Sequence, residues 1–206
     1  ARRDEKKSLK ETEKLVSKSW KIWIENGNKN IEKLRRNVVK LNISNDKDQQ
    51  PNAEEENTLK DIYKYYSGKN KRFENLASIV TNHYFNKETK GYKSGWITKG
   101  SGDQGIDFVG RLDIGSAFGS VKIVILGQAK CEKLDKPTNS VHIARTVAKL
   151  KRGWIGVYVT TSFFSNKVQE EILSDKYPIL LINGKTLASL VNEIVFENKY
   201  DSVKNY

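Results

Sequence analysis

The chain has 206 residues, 37% of them hydrophobic and 10% aromatic, with 37 Lys and Arg against 25 Asp and Glu for a net charge of +12. That is enough for one ordinary domain and an accessory piece, and four Trp and nine Tyr exclude general disorder. The charge excludes an acidic solvating tail and makes a polyanion the expected partner. The single cysteine, Cys131, and two histidines 59 residues apart exclude a disulfide framework and a Cys/His zinc cluster.

No apolar run approaches the roughly 18 residues of a spanning helix. The sequence therefore reads as a cytoplasmic protein of a reducing compartment that meets no membrane. With no methionine and Ala1 at its start, it also reads as processed or as a piece of a longer protein.

In chain order, residues 1–44 predict a basic helical extension. Leu9, Leu15, Val16, Trp20, Trp23 and Ile24 recur at helical spacing, Gly27 interrupts, and Ile31, Leu34, Val38, Val39 and Leu41 resume. The segment holds 13 Lys and Arg against 6 Asp and Glu, which suits either a solvated face packed on a core or an arm that contacts DNA. Residues 45–58, with five acids, one Lys and Pro51, read as a polar linker. The domain then runs from 59 to 206.

That domain begins with amphipathic helices at Leu59–Tyr66 and Phe73–Tyr84. A turn-rich passage leads to a short strand at Trp96–Thr98 and a polar glycine loop in which Asp103 is expected to shape the turn. Strands follow at Ile106–Ile114 and Val121–Lys130, joined by a Gly/Ser turn that suggests a hairpin. The remainder alternates: helix at His142–Leu150, strand at Trp154–Thr160, helix at Asn166–Ser174, the strand PILLI and a last helix at Thr186–Glu197. Such alternation predicts an α/β fold, a central mixed sheet flanked by helices.

A hairpin between the two long strands would bring Asp107, Gln128 and Lys130 to one end of the sheet. Gln128 and Lys130 are two apart and share a face, with Ala129 turned the other way. By spacing alone they are either a site or the place where a strand reaches solvent. Cys131 faces away from Lys130 and reads as an inert thiol. Arg145, Lys149, Lys151 and Arg152 form a basic run that either tracks phosphates or is solvated. Thr161 and Ser162, at the end of a buried strand, either bond a phosphate or cap the next helix.

The wider text GSGDQGIDF, then ILGQAK, GVYVTTSFFS and PILLINGKTLASLV, resembles the catalytic domain of the Mrr family of restriction endonucleases, within the PD-(D/E)XK nuclease superfamily. The resemblance runs over about residues 70–195 and implies a restriction-endonuclease-like core. It makes Asp107, Gln128 and Lys130 catalytic, with Glu74 the acid of the first core helix. Gln128 stands where most of the superfamily has an acid, a departure shared with the Mrr variant that removes one charge from the metal site.

The implied activity is metal-dependent hydrolysis of DNA phosphodiesters in restriction of foreign DNA. Mg²⁺, or Mn²⁺ in its place, would be held by Asp107, the Gln128 side-chain carbonyl and the Ala129 backbone carbonyl. Lys130 would orient or help deprotonate the attacking water. Double-stranded DNA is the expected partner, with a homodimer, or a fused or separate recognition or motor domain, supplying specificity. A non-catalytic DNA-binding or assembly module on the same fold, and a repair or junction-cleaving nuclease, are the alternatives.

Overall fold

The computed structural model describes residues 43–98, 105–116, 119–175 and 177–198. The basic helical extension expected at 1–44 lies, but for its last two residues, outside the described residues, as does Asp103. Helix α1 (Ala53–Tyr66) starts at a capping box. Asn52 accepts the Glu55 N–H, Glu55 accepts the Asn52 N–H, and three glutamates line the first turn, where the helix dipole favours negative charge.

The linker expected at 45–58 is therefore corrected, because half of it is the first turns of α1 and the other half is docked. Gln49 is buried and exchanges two hydrogen bonds with the backbone of Phe164, at 2.8 and 2.9 Å. Ser44 exchanges another pair with the Gln169 side chain. Polar composition here serves backbone groups of the folded body, so residues 43–58 belong to the same compact unit as the remainder.

Helix α2 (Asn70–Thr89) is longer than its apolar periodicity predicts and stops where Lys90 turns left-handed. Strand β1 (Tyr92–Ile97) takes up half of the passage expected to be turns. Strands β2 (Phe108–Ile114) and β3 (Val121–Lys130) form the expected hairpin. Then come α3 (Ser140–Val147), β4 (Ile155–Thr160), α4 (Asn166–Asp175), β5 (Ile179–Ile182) and α5 (Gly184–Glu197). The sheet order is β1-β2-β3-β4-β5, antiparallel through β3 and parallel from β3 to β5.

Each face of the sheet has its own core. Phe73, Ala77 and Val80 of α2 and Leu187, Val191 and Ile194 of α5 pack on Phe108, Ile125, Val157 and Val159. Ile143 and Val147 of α3 and Val168 and Ile172 of α4 pack with Tyr158, Phe164 and Ile179 on the other face. At Gly127 a Cβ would stand 2.0 Å from the Phe108 ring, so the absence of a side chain there lets the hairpin close over the first core. The sheet thus presents the carboxyl ends of β3 and β4 beside the start of β2.

Candidate active site

Asp107 stands just ahead of β2, two residues after Gly105, whose φ of +84° only glycine adopts readily. The Asp107 N–H donates to the Gly127 carbonyl at 2.8 Å, and its Oδ2 accepts the Ala129 N–H at 2.7 Å. Along a strand, successive peptide groups point to opposite neighbours. The Lys130 carbonyl accepts from Thr161 on the β4 side, so the Ala129 peptide groups face β2. The β2 ladder has ended at that level, and the Asp107 carboxylate takes the place of the next strand residue. The geometry sets a fixed carboxylate next to the Ala129 carbonyl where the described β2–β3 ladder ends.

Gln128 is only 4% exposed and lies across from Tyr158 in the parallel register. The Thr146 hydroxyl donates to Gln128 Oε1, and the His142 carbonyl lies 3.2 Å from the same hydroxyl. The hydroxyl thus links the Gln128 side chain to the α3 backbone. Thr146 is fully buried, so this bond holds the amide between α3 and the strand end.

Lys130 is partly exposed and forms no ion pair with any described residue. Glu132, two residues on, is a group the sequence reading missed. Its Oε2 accepts from both the Thr138 and Thr160 hydroxyls, at 2.7 and 2.9 Å. Strand alternation past Lys130 could have pointed to it. The Tyr158 phenol, buried below these residues, is held neutral by burial first and then by the Glu132 and Asp107 carboxylates. Cys131 turns to the first core, as expected, and burial raises its thiol above the ordinary range, which keeps it protonated.

Glu74 is buried on α2 and is placed behind the site. Lys71 Nζ bridges Glu74 Oε2 and the Thr98 carbonyl, both at 2.8 Å. Thr98 in turn donates its N–H to the Asp107 carbonyl at 3.0 Å and its hydroxyl to that of Ile106 at 2.6 Å. Glu74 is thus tied to the Asp107 backbone through two residues. Among the described residues no cluster of three or more His, Cys, Asp or Glu forms.

The residues expected to bind DNA divide. Arg145 is exposed in the last turn of α3, which ends at Val147, so Lys149, Lys151 and Arg152 follow in a turn instead of continuing the helix. Lys151 lies over the Trp154 ring at 5.4 Å and Arg152 is exposed. Thr161 and Ser162 are corrected as phosphate contacts, being 1% and 3% exposed with their hydroxyls bonded to the carbonyls of Glu132 and Lys136. They fasten the loop after β3 to the end of β4.

Comparison with known proteins identifies the family. A family model described as restriction endonuclease, Mrr_cat, matches residues 68–191. No curated protein sequence matches the chain. The MspJI restriction endonuclease, solved in complex with a 27-mer oligonucleotide, superposes with a TM-score of 0.75 at 43% identity, over 91% of this chain and 42% of that one. The DNA modification-dependent restriction endonuclease AspBHI superposes with a TM-score of 0.66 at 21% identity, over 87% of this chain and 45% of its own, and shows the shared fold. The chain spans less than half the length of either. With the family model covering more than half of its residues, the chain belongs to the Mrr_cat family of restriction endonucleases.

Proposed function

We propose that this chain is the catalytic part of a Mg²⁺-dependent endodeoxyribonuclease, Mn²⁺ substituting, that cuts double-stranded DNA in restriction of foreign DNA. The observation that carries the proposal is the Asp107 carboxylate fixed by the Ala129 N–H at the end of the described β2–β3 ladder, next in the strand to Gln128 and Lys130. Restriction endonucleases of this family generally use divalent metal ions. The candidate ligands, Asp107, the Gln128 amide oxygen and the Ala129 carbonyl, are all oxygen donors and suit a hard cation. When bound, such an ion neutralises phosphate charge and lowers the pKa of the attacking water.

The chain's own residues divide the remaining work. Asp107 supplies the anion, its carboxylate fixed by the Ala129 N–H. Gln128, gripped by Thr146, contributes a neutral oxygen. Lys130, without a described acidic partner, positions the water and offsets charge that develops on the phosphate. Glu74 acts as a positioning residue through Lys71 and Thr98. Arg145, Lys151 and Arg152 contact flanking phosphates. Recognition is assigned to a segment or partner beyond the catalytic body, and we place the domain boundary near residue 43.

The experiment is incubation of methylated and unmethylated supercoiled plasmid with the protein, with Mg²⁺ and with chelator. Linear or nicked product that appears only with metal supports the proposal. Intact plasmid of both kinds, in Mg²⁺ and in Mn²⁺, overturns it.

A further inference from the structure

One charged atom beside the site has no hydrogen-bond partner among the described residues. Lys149 sits two residues past the end of α3, in a turn fixed by its own N–H to the Thr146 carbonyl, 3.2 Å. Its Nζ is shielded from solvent and meets no hydrogen-bond partner among the described residues. It lies beside Gly105. A Cβ built on that glycine would lie 3.6 Å from Lys149 Nζ and 3.4 Å from the end of the Gln128 carboxamide. The ammonium and the Gln128 amide therefore flank the same glycine, two residues ahead of Asp107.

A shielded ammonium is costly unless an anion offsets its charge, and a neutral amide cannot do so. The described acids around the site are otherwise engaged. Glu132 holds the hydroxyls of Thr138 and Thr160, Glu74 holds Lys71, and Asp107 accepts from the Ala129 backbone. Gln128 occupies the strand position at which an acid would have supplied the missing charge. Among the described residues none supplies that charge, and an anion that reaches a point beside Gln128 and presents oxygen to a lysine would fit. A DNA backbone phosphate has that chemistry.

We propose that Lys149 is a phosphate-binding residue of the active site, its ammonium pairing with the DNA backbone phosphate that enters beside Gln128. This rests on the nuclease reading above and goes beyond it, since it takes Lys149 out of the surface run with Lys151 and Arg152 and gives it a place next to the reacting group. It has two consequences that pull in opposite directions. In the DNA-free protein Lys149 is a liability, so a neutral side chain of similar length should stabilise the fold. In the complex it is an asset, so the same change should weaken DNA binding.

The test uses the full chain carrying Lys149→Met or Lys149→Arg. Binding of a short duplex, without added metal so that it is not cut, is measured over a salt series, alongside thermal melting. Lys149→Met is expected to melt at a higher temperature than wild type and to bind the duplex about ten- to a hundred-fold more weakly, the range for a hydrogen bond to a charged group. Its logarithmic salt slope should be shallower by about one. Lys149→Arg should restore the slope. Lys149→Met with wild-type affinity and slope would overturn the proposal, as would a lower melting temperature that Lys149→Arg recovers without any change in DNA binding. Wild-type protein that neither binds nor cuts duplex DNA would instead defeat the nuclease reading itself.

Discussion

Thr146→Val tests the idea that α3 aims the Gln128 amide. The change keeps size and branching and removes one hydroxyl, and Val and Thr have similar helix propensities, so the α3 backbone should not move. What is lost is a bond between two buried groups, since Thr146 is 0% and Gln128 4% exposed. Leaving one amide group unpaired at that depth costs about 1–3 kcal/mol of stability. The site should suffer too, because partners that orient a ligand typically change metal affinity or activity by about 10–100-fold. The assay is urea unfolding beside cleavage rates over a Mg²⁺ series. Thr146→Val should need more metal to reach half-maximal rate, and Thr146→Ser should recover most of the loss. A Val variant that cleaves at the wild-type rate with the wild-type metal dependence would refute the positioning argument, whatever its stability.

Gly127→Ala should destabilise by about 1–3 kcal/mol, because the new methyl meets the Phe108 ring and must force it off its rotamer; a wild-type urea midpoint would show that the hairpin has slack. Alkaline unfolding should begin near pH 10. Burial raises the Tyr92 phenol to about 12 and the Tyr158 phenol further. Their protons are retained in the fold and released in the unfolded chain, so stability is full below the ordinary tyrosine value of 10.0 and falls as pH climbs toward 12. Tyr92→Phe, which removes a hydroxyl with no described partner, should make that fall less steep, and an unchanged profile by circular dichroism would contradict it. Gln128→Glu should tighten divalent-metal binding by the DNA-free protein in calorimetry, since it adds a second carboxylate beside Asp107; equal affinity would mean that the amide position does not face the ion.

The hairpin and the parallel strands were legible because their patterns are local. GIDFVGRLDI alternates, VKIVILGQAK carries the apolar run IVIL before it reaches polar residues, and WIGVYVT is a largely apolar run of the kind a doubly covered strand shows. Asp107, Gln128 and Lys130 could be placed together because one hairpin register decides all three. The first turns of α1 were misread for a physical reason. AEEENT is polar on every side, and what makes it helical is the Asn52 and Glu55 capping box and the helix dipole, while the buried face begins only at Thr58 and Leu59.

Thr161 and Ser162 were misplaced because hydroxyls at a strand end look alike whether they face solvent or a carbonyl. Only tertiary structure sets Glu132 and Lys136 against them. The role of Thr146, the hydroxyl partners of Glu132 and the shielded state of Lys149 lay beyond the sequence for the same reason. Each depends on contacts between α3 or the loop after β3 and residues about twenty or more positions away.

We assign metal-dependent phosphodiester hydrolysis to Asp107 and Lys130 at the end of the β2–β3 hairpin. The most direct measurement is single-turnover cleavage of plasmid in Mg²⁺ by wild type, Asp107→Ala and Lys130→Ala, with circular dichroism and duplex binding measured on the same preparations. The account predicts that wild type cuts, that both variants lose cleavage by a factor of about a thousand or more, and that both keep the wild-type spectrum and bind duplex DNA within a few-fold. Cleavage by either variant near the wild-type rate would contradict it and place the chemistry elsewhere in the chain.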